Sequence, residues 1–139
     1  MISKKLHFVF DKTNKANQQK KKLLRKFKSY APREADTIVV LGGDGFMLET
    51  LKKLGKFNKP FYGMNMGTYG FLMNKFKTGK FMENLSKSKP IIISALQMIV
   101  KTKNNTIKKG IAINEVSMFR QSKQAATIQI KKGKKIIMK

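Results

Sequence analysis

The sequence predicts an α/β domain, doubly wound, followed by the first strands of an incomplete all-β domain. Three observations carry that reading. Residues 38–41 (IVVL) form a short, continuous, β-branched run, the pattern of a strand buried on both faces of a parallel sheet. Glycine-rich segments follow this run and the next one, with helical periodicity between them. After Pro90 the helical periodicity stops and strand-like stretches succeed one another directly.

Taken in chain order, residues 6–10 (LHFVF) read as a first strand. Residues 12–28 read as an exposed amphipathic helix, because Leu23, Leu24 and Phe27 fall at helical spacing. The APREA segment with Pro32 ends it. After IVVL comes Gly42-Gly43-Asp44-Gly45. Met47, Leu48, Leu51 and Leu54 then mark a second helix that ends near Gly55. Residues 60–65 (PFYGMN) predict a third strand, followed by a second glycine turn at 67–72 (GTYGFL). Phe81, Met82 and Leu85 predict another short helix. Residues 1–89 thus form the α/β domain and residues 90–139 a partial β-rich one. Strands are expected at 91–102, 110–119, 125–131 and 134–138, the last two as a hairpin about Lys132-Gly133.

Composition narrows the chemistry. The 139 residues carry 31 Lys+Arg against 7 Asp+Glu, a formal charge of +24, with a hydrophobic fraction of 41% that suits a globular chain. Only Arg25, Arg33 and Arg120 are arginine, and the lysines are spread along the chain. Specific phosphate and base recognition favours the planar Arg fork, so no specific nucleic-acid partner is expected. Lysine plus asparagine enrichment also arises from codon bias, although such a field attracts any polyanion. Zero Cys and 1 His exclude disulfides, Cys nucleophiles and a His/Cys metal cluster. The apolar runs are too short for a signal peptide or a membrane span, so the expectation is a cytoplasmic chain without membrane contact. His7, inside a predicted strand, reads as packed rather than catalytic.

The first glycine loop is the sharpest feature. Glycines allow positive φ and close backbone approach, and successive N–H groups at a strand end and helix start form an anion site. Gly42, Gly43 and Gly45 are therefore candidates for a phosphate loop around Asp44, one of three Asp in the chain. Asp44 suits a group that accepts a hydroxyl proton or helps to hold Mg²⁺; the alternative is a tight turn in which Asp44 caps the helix. Neither the P-loop nor the dinucleotide GxGxxG spacing is present. In the second loop Asn65 offers a donor and an acceptor and Phe71 a flat face for a base, unless Phe71 and Leu72 simply enter the core. Asn114-Glu115, polar within the predicted strand 110–119, are either a pair for the vicinal hydroxyls of a ribose or a bulge with a lysine ion pair.

Together, GGDG at 42–45, GMNMGTYGFL at 63–72 and INEV at 113–116 resemble the NAD kinase family in order and approximate spacing, from about Ile38 to Arg120. GGDG alone is shared with diacylglycerol-type lipid kinases and, in related form, with phosphofructokinases. The second and third motifs are more specific. The resemblance implies phosphoryl transfer from ATP or inorganic polyphosphate, accompanied by Mg²⁺, to the 2′-hydroxyl of the adenosine ribose of NAD. It implies Asp44 as proton acceptor, with Gly45 beside it, Phe71 and Leu72 at the adenine region, and Asn114 and Glu115 holding the dinucleotide. It also implies homodimers or homotetramers.

Two departures from the family pattern stand out. Phe46 occupies a position that is usually Thr, and the second Gly-Asp-Gly region and TPxGSTAY-like segment of family chains are missing. The chain is therefore expected to be an N-terminal portion, with strand 136–138 an exposed edge. Two further readings remain: a lipid-type kinase sharing GGDG, and a basic polyanion-binding domain whose binding ignores Asp44.

Overall fold

A computed structural model describes residues 4–76 and 78–138; Met1–Ser3, Lys77 and Lys139 lie outside it. The first compact unit, Met1–Ala95, is built on strands β1 (Leu6–Phe10), β2 (Thr37–Gly42), β3 (Phe61–Asn65) and β4 (Asn74–Lys75) in the order β1-β2-β3-β4. Every pairing in this sheet is parallel. Parallel strands need crossovers, supplied here by α1 (Asn14–Lys26) between β1 and β2 and α2 (Asp44–Leu54) between β2 and β3. A third helix, α3 (Phe81–Lys87), follows β4.

β2 explains why its apolar run is unbroken. All six of its residues are buried, and alternate side chains enter different cores. Val39 and Leu41 join Leu6, Phe8, Tyr62 and Met64 against Ala16 and Leu23 of α1 and Phe81 and Leu85 of α3. Ile38 and Val40 join Met47 of α2, Met73 and the half-buried Phe46, Leu51, Leu54 and Leu72. Full burial of each such side chain is worth about 1.5–3 kcal/mol as an upper figure. Phe8, Phe27, Tyr62 and Phe81 extend the first core with tilted and edge-to-face contacts at centroid separations of 5.5–6.3 Å.

The helix ends follow capping chemistry. Thr13 caps α1 through its hydroxyl, which accepts from the Ala16 N–H at 3.3 Å, and Arg25 and Lys26 complement the dipole at the other end. Leu24, expected on the buried face, is instead 41% exposed, because Ala16, Leu23 and Phe27 fill the contact. α2 ends at Leu54, runs on as a 3₁₀ turn through Gly55–Phe57, and stops at Asn58 with φ 51°. The outer edge of β1 is occupied. Tyr30 N–H donates to the Leu6 carbonyl at 2.8 Å and Phe8 N–H donates to Ser29 Oγ at 3.1 Å. His7 Nδ1–H donates to the Tyr30 carbonyl at 2.7 Å, which agrees with a packed histidine.

The second unit, Leu96–Lys139, holds two antiparallel ribbons: β5 (Leu96–Lys101) with β6 (Ile107–Ala112), and β7 (Ile130–Lys132) with β8 (Lys135–Met138). These strands are shorter than the apolar runs suggested. Residues 91–95, 113–119 and 125–129 are not strand, because an apolar run becomes a strand only where a partner backbone accepts its hydrogen bonds. The last hairpin turns at Gly133-Lys134, one residue beyond the expected pair, with Gly133 at φ 59°. β4 was not anticipated; two polar residues define it by pairing with Met64 and Asn65 alone.

Candidate functional site

The glycine loops leave neighbouring strand ends. Gly42, last in β2, is in register with Asn65, last in β3, and the Met66 N–H donates to the Gly42 carbonyl at 2.8 Å. The loop 42–45 is less free than its glycines suggested. Gly42 belongs to the strand, Gly43 is the N-cap of α2, and Asp44 and Gly45 form its first turn. Asp44 is therefore not the cap, and no side chain caps this helix. Gly43 has φ −106°, and among the described glycines only Gly133 has positive φ. Left-handed backbone, one of the two uses expected of these glycines, is not what they provide.

What they provide differs from one to the next. A Cβ on Gly42 would meet Phe46 Cδ1 at 2.6 Å, so Gly42 makes room for the Phe46 ring. A Cβ on Gly43 or Gly45 would meet nothing of the chain within 4 Å. Space beside those two glycines opens away from the protein, next to the first-turn N–H groups of α2, where an anion is favoured.

Asp44 joins the two loops. Its Oδ2 accepts from the Phe71 N–H at 2.7 Å and its Oδ1 from the Leu72 N–H at 3.1 Å. Asn65 Oδ1 accepts from the Gly67 N–H at 2.8 Å, so its acceptor closes the turn. Leu72 packs into the second core, whereas the Phe71 side chain is fully exposed (101%) and Tyr69 stands out at 90%. Core entry thus holds for Leu72 and fails for Phe71, whose ring face is free. Gly70 is the residue whose role went unread in the sequence. Its missing Cβ would sit 3.0 Å from Asp44 Oδ1 and 3.2 Å from Asn65 Nδ2.

Asn114 and Glu115 lie in the second unit, beyond the end of β6 rather than within a strand, and both are exposed. Their side chains approach each other at 3.4 Å, and Glu115 forms no salt bridge to a described lysine. Among the described residues no group of three His, Cys, Asp or Glu side chains could cage a metal ion, and no helix is long and apolar enough to cross a membrane. Asp44, Gly43, Gly45, Phe71 and Leu72 are brought together in the first unit; Asn114 and Glu115 are placed only within the second.

A parallel sheet with helices between its strands and a carboxylate and glycine turns at the strand ends defines an α/β protein of the class that binds ligands at the carboxyl edge. The family description "ATP-NAD kinase N-terminal domain" matches residues 2–89. The chain belongs to the NAD kinase family. It is 42% identical over 125 residues to an NAD kinase of Brucella suis, covering 90% of this chain and 49% of that protein. The NAD kinases of Hyphomonas neptunium and Zymomonas mobilis are each 38% identical, over 130 and 136 residues, covering 94% and 96% of this chain and 51% and 53% of those proteins. The chain spans about half the length of the curated relatives it matches.

Proposed function

We propose that this chain carries the phosphoryl-acceptor half of an NAD kinase site, transferring a phosphoryl group from ATP or polyphosphate to the 2′-hydroxyl of the adenosine ribose of NAD. The observation that carries it is the Asp44 carboxylate, held by the Phe71 and Leu72 N–H groups at the start of α2. Each carboxylate oxygen offers two acceptor sites and spends one on the backbone, which leaves capacity for a hydroxyl. Asp44 then accepts the 2′-hydroxyl proton as the ribose oxygen attacks the terminal phosphorus, while the bond to the donor's bridging oxygen breaks. Gly43 and Gly45 leave room for phosphates near the α2 N-terminus, Phe71 offers its free face to adenine, and Asn114 and Glu115 hold the dinucleotide.

A single carboxylate already engaged by two N–H groups does not make a Mg²⁺ cage, so the ion on this reading belongs with the donor phosphates, which Mg²⁺ prefers together with its waters. The same reading takes 1–89 as a doubly wound domain and 90–139 as part of a β-rich one, in a cytoplasmic homodimer or homotetramer. The GTYGFL loop folded onto Asp44 favours it over a lipid-type kinase, in which that loop has no task.

The test is NADP formation from NAD, Mg²⁺ and ATP or polyphosphate, run beside Asp44→Asn. Turnover is expected to fall by about a thousandfold in the variant with NAD affinity little changed. Equal turnover in both proteins removes Asp44 from the role. Absence of both NAD binding and product in the unaltered chain overturns the reading for this chain.

A further inference from the structure

A carboxylate on the first turn of a helix rotates freely unless something holds its plane. Asp44 is held by one N–H on each oxygen, from two consecutive residues 27 and 28 positions further along the chain. Those donors reach it only because the segment after β3 folds back sharply. Three features enforce that return. At its start, the Met66 N–H is tied to the Gly42 carbonyl. Within the turn, Asn65 Oδ1 accepts the Gly67 N–H, an Asx-type closure. At the far end Met73 is buried in the second core. Gly70 sits at the tightest point, where a Cβ would lie 3.0 Å from Asp44 Oδ1, 3.2 Å from Asn65 Nδ2 and 3.2 Å from Met73 Cβ.

We propose that Asn65 and Gly70 are positioning residues for the reaction: Asn65 shapes the turn, Gly70 lets it close, and together they fix the plane of the Asp44 carboxylate that meets the acceptor hydroxyl. The inference deepens the function proposed above and rests on it for its catalytic half. Asn65 is the last, partly buried residue of β3, and its side-chain oxygen is spent on the Gly67 N–H, so its removal acts first on the turn.

The experiment compares the full chain with Asn65→Ala, Asn65→Ser and Gly70→Ala by amide hydrogen exchange and by NADP formation. Exchange at the Phe71 and Leu72 amides is expected to quicken about tenfold or more in Asn65→Ala and Gly70→Ala, with the β2 amides still protected. Asn65→Ser, which keeps an acceptor, restores most of the protection. In the same proteins kcat falls about tenfold with KM for NAD unchanged, as expected for misplacement of a reacting group. Unchanged exchange at those two amides overturns the proposal. Equal acceleration across β2 overturns it as well, by making the role a general structural one, and quickened exchange with unaltered kcat overturns its catalytic half. If Asp44→Asn leaves turnover intact, the functional reading fails separately, and the amide measurement still judges the clamp.

Discussion

The two units draw on similar apolar residues and use them in opposite ways. In the first, β2 buries every residue, and two cores enclose the parallel sheet between helices. In the second, Ile99, Val100, Ile107, Ile111, Ile136 and Ile137 sit in paired strands and stay exposed, and no described residue beyond Leu85 is buried. The difference is layering. A strand buries its side chains only when another layer covers the sheet, and two-stranded ribbons are marginal in water by themselves. Hydrogen-bond pairing without that layer gives a strand its shape but little of its stability.

That contrast is open to direct attack. The largest effect is expected from Leu41→Ala set beside Ile99→Ala. The first empties a fully buried site and should cost about 2–5 kcal/mol, whereas the second removes atoms that are already wet and should stay within about 0.5 kcal/mol. Chemical denaturation followed by hydrogen exchange at the amides of each unit measures both, and comparable losses would mean that the second unit is covered after all. Next comes Gly63→Ala. Its Cβ would meet Met47 Cε at 2.6 Å and the Leu72 carbonyl oxygen at 3.1 Å, so overpacking should cost about 1–3 kcal/mol.

Smaller, but sharper for the ribbons, is Gly133→Ala. At φ 59° an alanine costs about 1 kcal/mol, enough to shift a marginal hairpin's population about fivefold. Loss of the cross-strand NMR contact between Lys132 and Lys135 would register it; a retained contact would show that the turn is stabilised from outside. The smallest effect is alkaline. Burial raises the Tyr62 hydroxyl above its usual value of 10.0, so the folded unit keeps a proton that the unfolded chain releases. The corresponding stability is fully present below about pH 10 and is lost as pH climbs through the folded value. Tyr62→Phe should flatten the decline of melting temperature in that range.

Much of the first unit was legible in the sequence. IVVL could be read because four consecutive apolar β-branched and leucine residues fit little but a doubly covered strand. The helices at Leu23 and Met47 followed from spacing, and the turn between β7 and β8 from Gly133 to within a residue. Other features depend on partners far along the chain. β4 exists only through Met64 and Asn65, and the Asp44 clamp only because the chain returns after 27 residues. Glycine was misread in one half only, the positive φ, for a related reason. Its benefit at Gly42 is room for Phe46, and at Gly43 and Gly45 open space, neither of which depends on positive φ. Asn114-Glu115 looked like part of a strand because their neighbours are apolar, yet the ladder ends at Ala112.

The covered flank of β1 carries a consequence for how this sheet can grow. Ser29 and Tyr30 already satisfy the Phe8 N–H and the Leu6 carbonyl, so a strand offered from another molecule finds the polar groups there engaged. The opposite flank ends in the two residues Asn74 and Lys75. Extension of the four-stranded sheet is thereby more obstructed at the start of β1 than beside β4. Recruited backbone, whether from the same polypeptide or a neighbour, has its landing place beside β4, so a peptide that augments this sheet should perturb the amides of Asn74 and Lys75 and leave those of β1 as they were.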